Sequence, residues 1–262
     1  MEFQLMKSQR WQLSKSNSYS SSMLHYRNPW IVIWWSLALP GFGHFIVQSY
    51  LFGFILMSFE YLTNTMANLN LSIYYSMLGE FDKAREVLDG CILVYITVYI
   101  YAVWDSYQRC VSLNKTYQLA YRQKENIKPM HVSTFEINPL GKKKPLLSLI
   151  WAFLMPVTPF IYSQRLPAVV FGFFWWSIIL YFSSLLDGVI YTFIGDFQQA
   201  KAVLDPQWLL YIPSILGFCM FNSYQYTVEN NKLFELAQSR FFKENYQEGC
   251  LNDLYKYKQG AN

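Results

Sequence analysis

The amino-acid sequence predicts an all-α integral membrane protein built from two tandem repeats, and three observations support this prediction. Of the 262 residues, 53% are apolar and 15% are charged, whereas a soluble domain carries about 25% charged residues. The charges avoid long stretches, since between Pro29 and Gly79 only His44, Glu60 and several tyrosines are ionisable. A segment of eleven residues that begins at Gly79 recurs 116 residues later.

The recurrence extends well beyond that segment. Residues 79–89 match residues 195–205 at six of eleven positions. The same offset pairs identical residues of the two halves: Pro29 with Pro145, Trp35 with Trp151, Pro40 with Pro156 and Gln48 with Gln164. After one inserted residue, Asn114-Lys115 pairs with Asn231-Lys232. Self-similarity at a fixed period indicates repeated structural units. We therefore expect about three membrane helices in each of two repeats, a 3+3 arrangement.

This organisation divides the chain into five parts. Repeat 1 covers residues 29–122 and repeat 2 covers residues 145–241, with a polar basic linker, residues 123–144, between them. Residues 1–28 form a polar basic tail with no apolar core and cleavage site of a signal peptide, and we expect it to be disordered and cytoplasmic. Residues 242–262 form a second polar tail.

Each repeat contains three apolar runs. In repeat 1 the first run, from Trp30 to about Val47, reaches only about 27 Å as a helix, and Pro40 must break it. It is therefore a broken or re-entrant helix, or the first arm of a tight hairpin. The second run, Leu51 to about Tyr75, is long enough to cross a bilayer as one helix. The third run, Cys91 to Trp104, continues as a helix towards Arg122.

A short amphipathic helix is predicted between the second and third runs. Gly79 has the chemistry of a helix C-terminal cap, and residues 80–88 place apolar and charged side chains on opposite faces. Such a helix lies along the membrane interface, and residues 196–204 repeat the pattern. Asp89 and Asp205 are the expected N-caps of the helices that follow, which is a structural role rather than a catalytic one.

The charge distribution and the number of apolar runs disagree about topology. Residues 1–28 carry four basic residues and one acid, and residues 111–145 carry seven basic residues and two acids. The positive-inside rule places both on the cytoplasmic side, which requires an even number of crossings per repeat. Three crossings would instead invert the second repeat, as in many transporters. We favour the 3+3 arrangement, with first helices that are incomplete or strongly tilted.

Four polar side chains of repeat 1 form the candidate site for a ligand or proton. Glu60 and Asn64 lie one turn apart on the second helix, with Asn68 one turn further. His44 and Asp105 are the other ionisable groups near that core. A carboxylate inside a bilayer must face the bundle interior or find a partner. The set is therefore either a proton- or cation-responsive site or a hydrogen-bond network that fixes helix packing.

The second repeat lacks this ionisable set. Phe160, Trp176 and Asn222 occupy the positions that match His44, Glu60 and Asp105. A symmetric two-site transporter is therefore disfavoured, while a single asymmetric site remains compatible with the sequence.

No enzyme, cofactor or metal is predicted. The chain has no phosphate-binding loop, no paired catalytic carboxylates and no metal-ligand spacing, and its four cysteines show no CxxC pair. The net charge of +4 is too small and dispersed to indicate nucleic acid.

The segments Pro40-Gly41-Phe42-Gly43-His44-Phe45 and Tyr50-Leu51-Phe52-Gly53-Phe54 resemble the glycine-rich hairpin of small bacterial membrane proteins related to the TM2 domain. The resemblance covers about 20 residues, and Ile46 and Gln48 depart from the family's tyrosine and glycine. It implies a closely packed hairpin and no assigned reaction.

These observations favour a non-enzymatic scaffold or accessory subunit of a membrane complex, located in a bacterial cytoplasmic membrane. Its expected partners are the lipid bilayer, other membrane proteins or further copies of itself. The alternative, from a different class, is a small-solute or ion permease component that uses Glu60.

Overall fold

The computed structural model describes residues 14–17, 20–121, 130–132 and 137–247. Two short antiparallel hairpins lie outside the apolar runs, β1 (Ser14–Asn17) with β2 (Ser20–Met23) and β3 (Met130–Val132) with β4 (Ile137–Pro139). The first of them lies in the tail that was expected to be disordered. The remaining regular structure of the described ranges is helical.

The helices follow the same order in both halves. The first half contains α1 (Pro29–Ala38), α2 (Phe42–Ile46), α3 (Tyr50–Ala67), α4 (Leu69–Met77), α5 (Phe81–Val87) and α6 (Ile92–Tyr121). The second half contains α7 (Pro145–Leu154), α8 (Thr158–Tyr162), α9 (Leu166–Ser183), α10 (Leu185–Ile194), α11 (Phe197–Val203), α12 (Pro206–Leu209) and α13 (Ile212–Phe242), followed by a π-helical turn, Lys243–Gln247.

The connections between these helices also correspond. Left-handed backbone occurs at matching positions, Gln48 and Gln164, Asn68 and Ser184, and Gly79 and Gly195. In each half, one backbone hydrogen bond joins the segment after the amphipathic helix to the end of the long helix, α3 or α9. The Asp89 N–H donates to the Ala67 carbonyl, and the Asp205 N–H donates to the Ser183 carbonyl, both at 3.2 Å. The local sequence therefore directs the same path in both halves.

The first apolar run folds back on itself. α1 has ten residues, a length of about 15 Å, and packs along α6. Ser36 donates a hydrogen bond to Ser106 at 2.8 Å, and the Leu37 carbonyl accepts one from Tyr99. The returning α2 then brings His44 to Asp105. The first apolar run of each repeat is thus a helical hairpin, and in the first half Pro40 and Gly41 reverse the chain.

The glycines of the hairpin permit this close return. A Cβ on Gly43 would lie 2.0 Å from Ser36 Oγ and 2.7 Å from the Val32 carbonyl. Gly41, with φ of +103°, would place a Cβ 2.5 Å from the Gly53 carbonyl. The α1–α2 hairpin and α3 consequently pack at backbone contact.

The second apolar run is two helices, not the single one expected from Leu51 to Tyr75. Asn68 adopts the left-handed conformation, with φ of 50°, and ends α3 before α4 begins. Asparagine tolerates this conformation better than most residues. Ser184 separates α9 from α10 in the same way. Asn68 is therefore a helix breaker and does not extend the polar stripe of Glu60 and Asn64.

The predicted amphipathic segments are helices, α5 and α11. Each bends sharply into the helix that follows, by 88° and 84° respectively. Phe81 and Phe197, at equivalent positions, are each 62% exposed. Asp205 caps α12 by accepting from the Gln207 N–H at 2.8 Å, whereas Asp89 accepts from the Cys91 N–H just before α6.

The helices are compatible with a membrane protein. Leu166–Ser183 is long and apolar enough to cross a bilayer alone, and the number of such spans within the described ranges rises to three if each bent pair is counted. Large apolar side chains cover the outside of this helix, for example Phe173 at 59% and Tyr181 at 79% exposure. A water-soluble surface rarely carries apolar patches of this extent.

Aromatic side chains fill the contact between the halves. Phe42 stacks on Phe218 with ring centroids 4.0 Å apart, and Trp35 contacts Phe221. Further along, Tyr61 packs against Trp175 and Tyr211, both at 4.6 Å. Pairs of this kind contribute about 0.5–1.5 kcal/mol each beyond the area they bury.

Gly43→Ala should destabilise the protein, because the added methyl group overlaps Ser36 and the Val32 carbonyl. Overpacking of this kind costs about 1–3 kcal/mol. Unfolding of the purified protein in detergent measures the loss. Gly90→Ala is the control, since its Cβ would meet no atom within 4 Å. Equal midpoints for the two variants would contradict the close packing of the hairpin.

Candidate functional site

A repeated asparagine anchors the start of each half. The Asn114 side chain accepts from the Arg27 N–H at 2.9 Å and donates to the Arg27 carbonyl at 2.8 Å. Asn231 makes the same two bonds with the backbone of Lys143, each at 2.7 Å. Both anchored residues lie two positions before the proline that begins a hairpin. The asparagines therefore position the hairpins, which is a structural role.

The most strongly charged buried cluster lies around Glu229. Arg27 Nη2 donates to Glu229 Oε1 at 2.9 Å, and Arg165 Nη2 donates to Oε2 at 2.6 Å. His25 Nδ1 lies 2.7 Å from Oε1. Glu229, Arg27 and Arg165 are all at most 6% exposed. The cluster joins the N-terminal segment, the turn before α9, and α13, so it connects the two halves.

Opposite charge keeps Glu229 ionised. Glu229 lies beyond the apolar run of α13, and burial by itself would raise its pKa. The Arg165 guanidinium, the hydrogen bond from His25 and the charge of Arg27 together hold the pKa at about 2. On its other side the Arg165 guanidinium lies over the Tyr226 ring, 3.6 Å from the centroid, an arrangement that cation–π attraction favours.

The sequence offered little signal for this cluster. The residues that match Arg165 and Glu229 in the first half are Ser49 and Ser112, so repetition does not single out either position. Arg27 was assigned to the polar tail, yet it is 6% exposed. The isolation of Arg165 within an apolar half was the one available sign that it needs a buried partner.

Glu60 belongs to an amide network. Asn64 Nδ2 donates to Glu60 Oε1 at 3.1 Å and to Asn70 Oδ1 at 3.2 Å. Gln207 Nε2 donates to Asn64 Oδ1 at 2.8 Å, and the backbone carbonyl of Gln207 accepts from Asn70 Nδ2 at 2.9 Å. Because Gln207 lies in the second half, this network also joins the halves. Sequence reasoning identified Glu60 and Asn64 but missed Asn70 and Gln207.

His44 and Asp105 form a separate group. His44 Nε2 lies 2.9 Å from Asp105 Oδ2, and Arg109 Nε donates to the same oxygen. The Arg109 guanidinium also lies 3.9 Å from the centroid of the Phe52 ring. Among the described residues no hydrogen bond links Glu60 to this group, so the four predicted site residues divide into two pairs.

The second half contains a neutral version of the His44 group. The matching residues are Phe160, Asn222 and Tyr226, and the Phe160 and Tyr226 rings are in edge contact at 6.0 Å. Asn222 Oδ1 has no hydrogen-bond partner in the described part of the chain. The ionisable group is therefore confined to the first half.

Two cavities lie beside these groups. One, of about 70 Å³ between the halves, is lined mainly by aromatic rings and by Asn222 and Tyr226. The other, of about 280 Å³, lies between the start of α1 and α13 and is lined by Arg27, Glu229 and Lys232 among others. Glu60 lines neither cavity and is 3% exposed.

Comparison with known proteins assigns no family to the chain: no family model matches, and no curated protein or solved structure matches significantly. Within the described ranges, no three His, Cys, Asp or Glu residues converge as a metal site would require.

Glu229→Gln should destabilise the protein strongly at neutral pH, because it leaves two buried guanidinium groups without their anion. Removing one partner of a buried ion pair costs about 3–5 kcal/mol. Glu235→Gln is the matched control on the same helix, since the Glu235–Lys142 pair is mostly exposed and such pairs contribute about 0–1 kcal/mol. Chemical unfolding in detergent compares the two variants. Similar losses would contradict the importance of the buried cluster.

The cost of Glu229→Gln should depend on pH in a defined direction. A carboxyl whose folded pKa is lowered, here from 4.5 to about 2, stabilises the fold fully above pH 4.5, and this contribution is lost as the pH falls towards 2. The difference in unfolding free energy between wild type and variant should therefore be constant between neutral pH and about 5 and shrink below 4.5. A difference that grows on acidification would exclude this assignment.

Proposed function

We propose that the chain is a polytopic protein of a bacterial cytoplasmic membrane that acts as a non-enzymatic scaffold or accessory subunit. The observation that carries the proposal is the environment of Glu60. Its carboxyl is buried, bonded to Asn64, and tied through Asn70 to Gln207 of the other half. This is the arrangement expected of an interhelical network that fixes packing.

A specific topology accompanies this proposal. The short α1–α2 and α7–α8 hairpins are re-entrant, while α9 and, as parts of the bent pairs, α6 and α13 cross the membrane. α3, the equivalent of α9, is the fourth crossing and is less apolar because it contains Glu60 and Asn64. Each repeat then has two crossings, and residues 1–28, the linker and the C-terminal tail lie on one side. The basic character of the first two segments supports this, because cytoplasmic loops are enriched in Lys and Arg.

The scaffold would present two equivalent surfaces at the opposite side of the membrane. α5 and α11 are short amphipathic helices bent almost perpendicular to the long helices that follow them. Phe81 and Phe197 are exposed to the same extent on each. Helices of this type lie in the interface, where they are accessible both to lipid and to another membrane protein.

The second candidate is a permease component, and the paired hairpins are the feature that favours it. Non-helical backbone at membrane depth usually lines a water-filled cavity or is buried in protein, and broken helices form the substrate sites of many transporters. Glu60 would then be the proton- or ion-responsive group. The resemblance of Pro40–Phe54 to the TM2-like hairpin is compatible with both candidates, since it implies packing only.

Labelling of single introduced cysteines tests the topology. With two crossings per repeat, Lys83→Cys and Lys201→Cys should be labelled by an impermeant reagent from the same side, and Lys142→Cys from the other. An inverted 3+3 arrangement would place residues 83 and 201 on opposite sides. The comparison uses the protein in sealed vesicles, with the native cysteines replaced by serine.

Reconstituted vesicles and paired Glu60 variants separate the two functions. As a scaffold, the wild-type protein should dissipate a proton gradient no faster than empty vesicles do. Glu60→Gln should then be nearly silent in stability, whereas Glu60→Leu should cost about 1–3 kcal/mol because one Asn64 N–H loses its acceptor. Gradient dissipation that Glu60→Gln abolishes would establish the permease function instead.

A further inference from the structure

We propose that the cavity between α1 and α13 binds the phosphate headgroup of an anionic phospholipid. This inference rests on the membrane location proposed above and adds a ligand to it. The cavity has a volume of about 280 Å³, and its lining is polar at one end and apolar at the other. Ile31, Val32 and Phe221 are among its apolar residues, and Arg27, Asn28 and Lys232 are among its polar ones.

The charges around this cavity favour an anion. Arg27 and Lys232 contribute positive charge directly, and Arg165 lies behind Glu229. Glu229 also lines the cavity, but its two oxygens already face Arg27, Arg165 and His25. One carboxylate is thus opposed by two guanidinium groups and an ammonium group, which leaves an excess of positive charge. An excess charge of one sign in a partly buried site is stabilised by a counterion.

Two further features point in the same direction. The N-terminus of the ten-residue helix α1 lies at the cavity, and its dipole favours negative charge. Lys143, outside the apolar runs, has a pKa lowered by burial and by the positive charge of Arg165. The charge of Arg165 therefore already disfavours the protonated form of the neighbouring Lys143.

The apolar end of the cavity explains why a lipid is the expected source of the phosphate. Trp30 and Trp34 on α1 are 75% and 67% exposed, and exposed tryptophans are typical of the membrane interface. A headgroup at Arg27 and Lys232 would let its acyl chains extend along Ile31 and Phe221. Basic pockets between membrane helices recognise anionic headgroups by this combination.

Lys232 and Lys115 provide a matched pair of variants. They occupy equivalent positions after the repeated asparagines, and both are exposed. Lys232 lines the cavity between α1 and α13, whereas Lys115 does not. Each would be changed to glutamine, which keeps size and polarity and removes the charge. Arg27 is unsuitable for this purpose because it holds Glu229.

The experiment measures lipid binding to the purified protein by native mass spectrometry, with phosphatidylglycerol, phosphatidylcholine or inorganic phosphate added. We expect phosphatidylglycerol to bind at least several-fold more tightly than phosphatidylcholine. Lys232→Gln should weaken its binding about five-fold, the effect of one basic residue near an anionic lipid surface, and Lys115→Gln should leave it unchanged.

Equal affinity for the two lipids, or equal effects of the two variants, would overturn the inference. Binding of inorganic phosphate with the same affinity and the same dependence on Lys232 would identify a free anion, and not a lipid, as the ligand. Resistance of the protein to alkaline extraction from membranes is measured in parallel. A protein that resists extraction but shows no lipid preference refutes only the headgroup site, whereas a protein released by alkali refutes the membrane location itself.

Discussion

The reversal of the chain at Pro40 and Gly41 is the constraint on which the first half of the structure depends. Proline cannot donate the hydrogen bond that would continue α1, and Gly41 supplies a left-handed backbone that few residues adopt. The returning α2 then places His44 against Asp105 and leaves no room for a side chain at Gly43. Without this reversal, α2 would not return to α6 and the start of α3 would lose its position.

The second half reaches the same path through different residues. Val157 replaces Gly41 and is right-handed, yet α7 and α8 have the same lengths and offsets as α1 and α2. Pro156, the counterpart of Pro40, again interrupts the run, and Pro159 lies in the first turn of α8. The features common to the two hairpins are the proline that breaks the backbone hydrogen bonding and the asparagine that anchors the chain before each hairpin.

The contact between the halves depends on residues that the duplication does not share. Gln207 bonds to Asn64 and Asn70, whose counterparts are Leu180 and Leu186. Glu229 bonds to Arg27 of the first half, and the counterpart of Glu229 in that half is Ser112. Two identical faces could associate in either order or with further copies. Polar partners present on one side only define a single arrangement, and aromatic contacts such as Phe42 with Phe218 pack the rest of the contact between the halves.

The sequence by itself determined the local features, because they depend on residues close together in the chain. These are the apolar runs, the break at Pro40, the helices at 81–87 and 197–203, the caps at Gly79 and Gly195, and the pairing of positions at an offset of 116 residues. Glu60, Asn64, His44 and Asp105 are predicted from the sequence to be polar groups in or near the core, since an ionisable residue in an apolar run has few alternatives.

Only the tertiary structure decided how these groups are paired. Hydropathy measures how apolar a run is and not the direction in which it turns, so the sequence leaves open whether the run broken at Pro40 is an incomplete membrane helix or the first arm of a hairpin. Asn68 breaks its helix through a backbone conformation that no pattern of apolar residues reveals. Gln207 and Glu229 find partners more than 60 residues away, and such long-range contacts depend on the packing of whole helices, which a periodic pattern along one segment cannot encode.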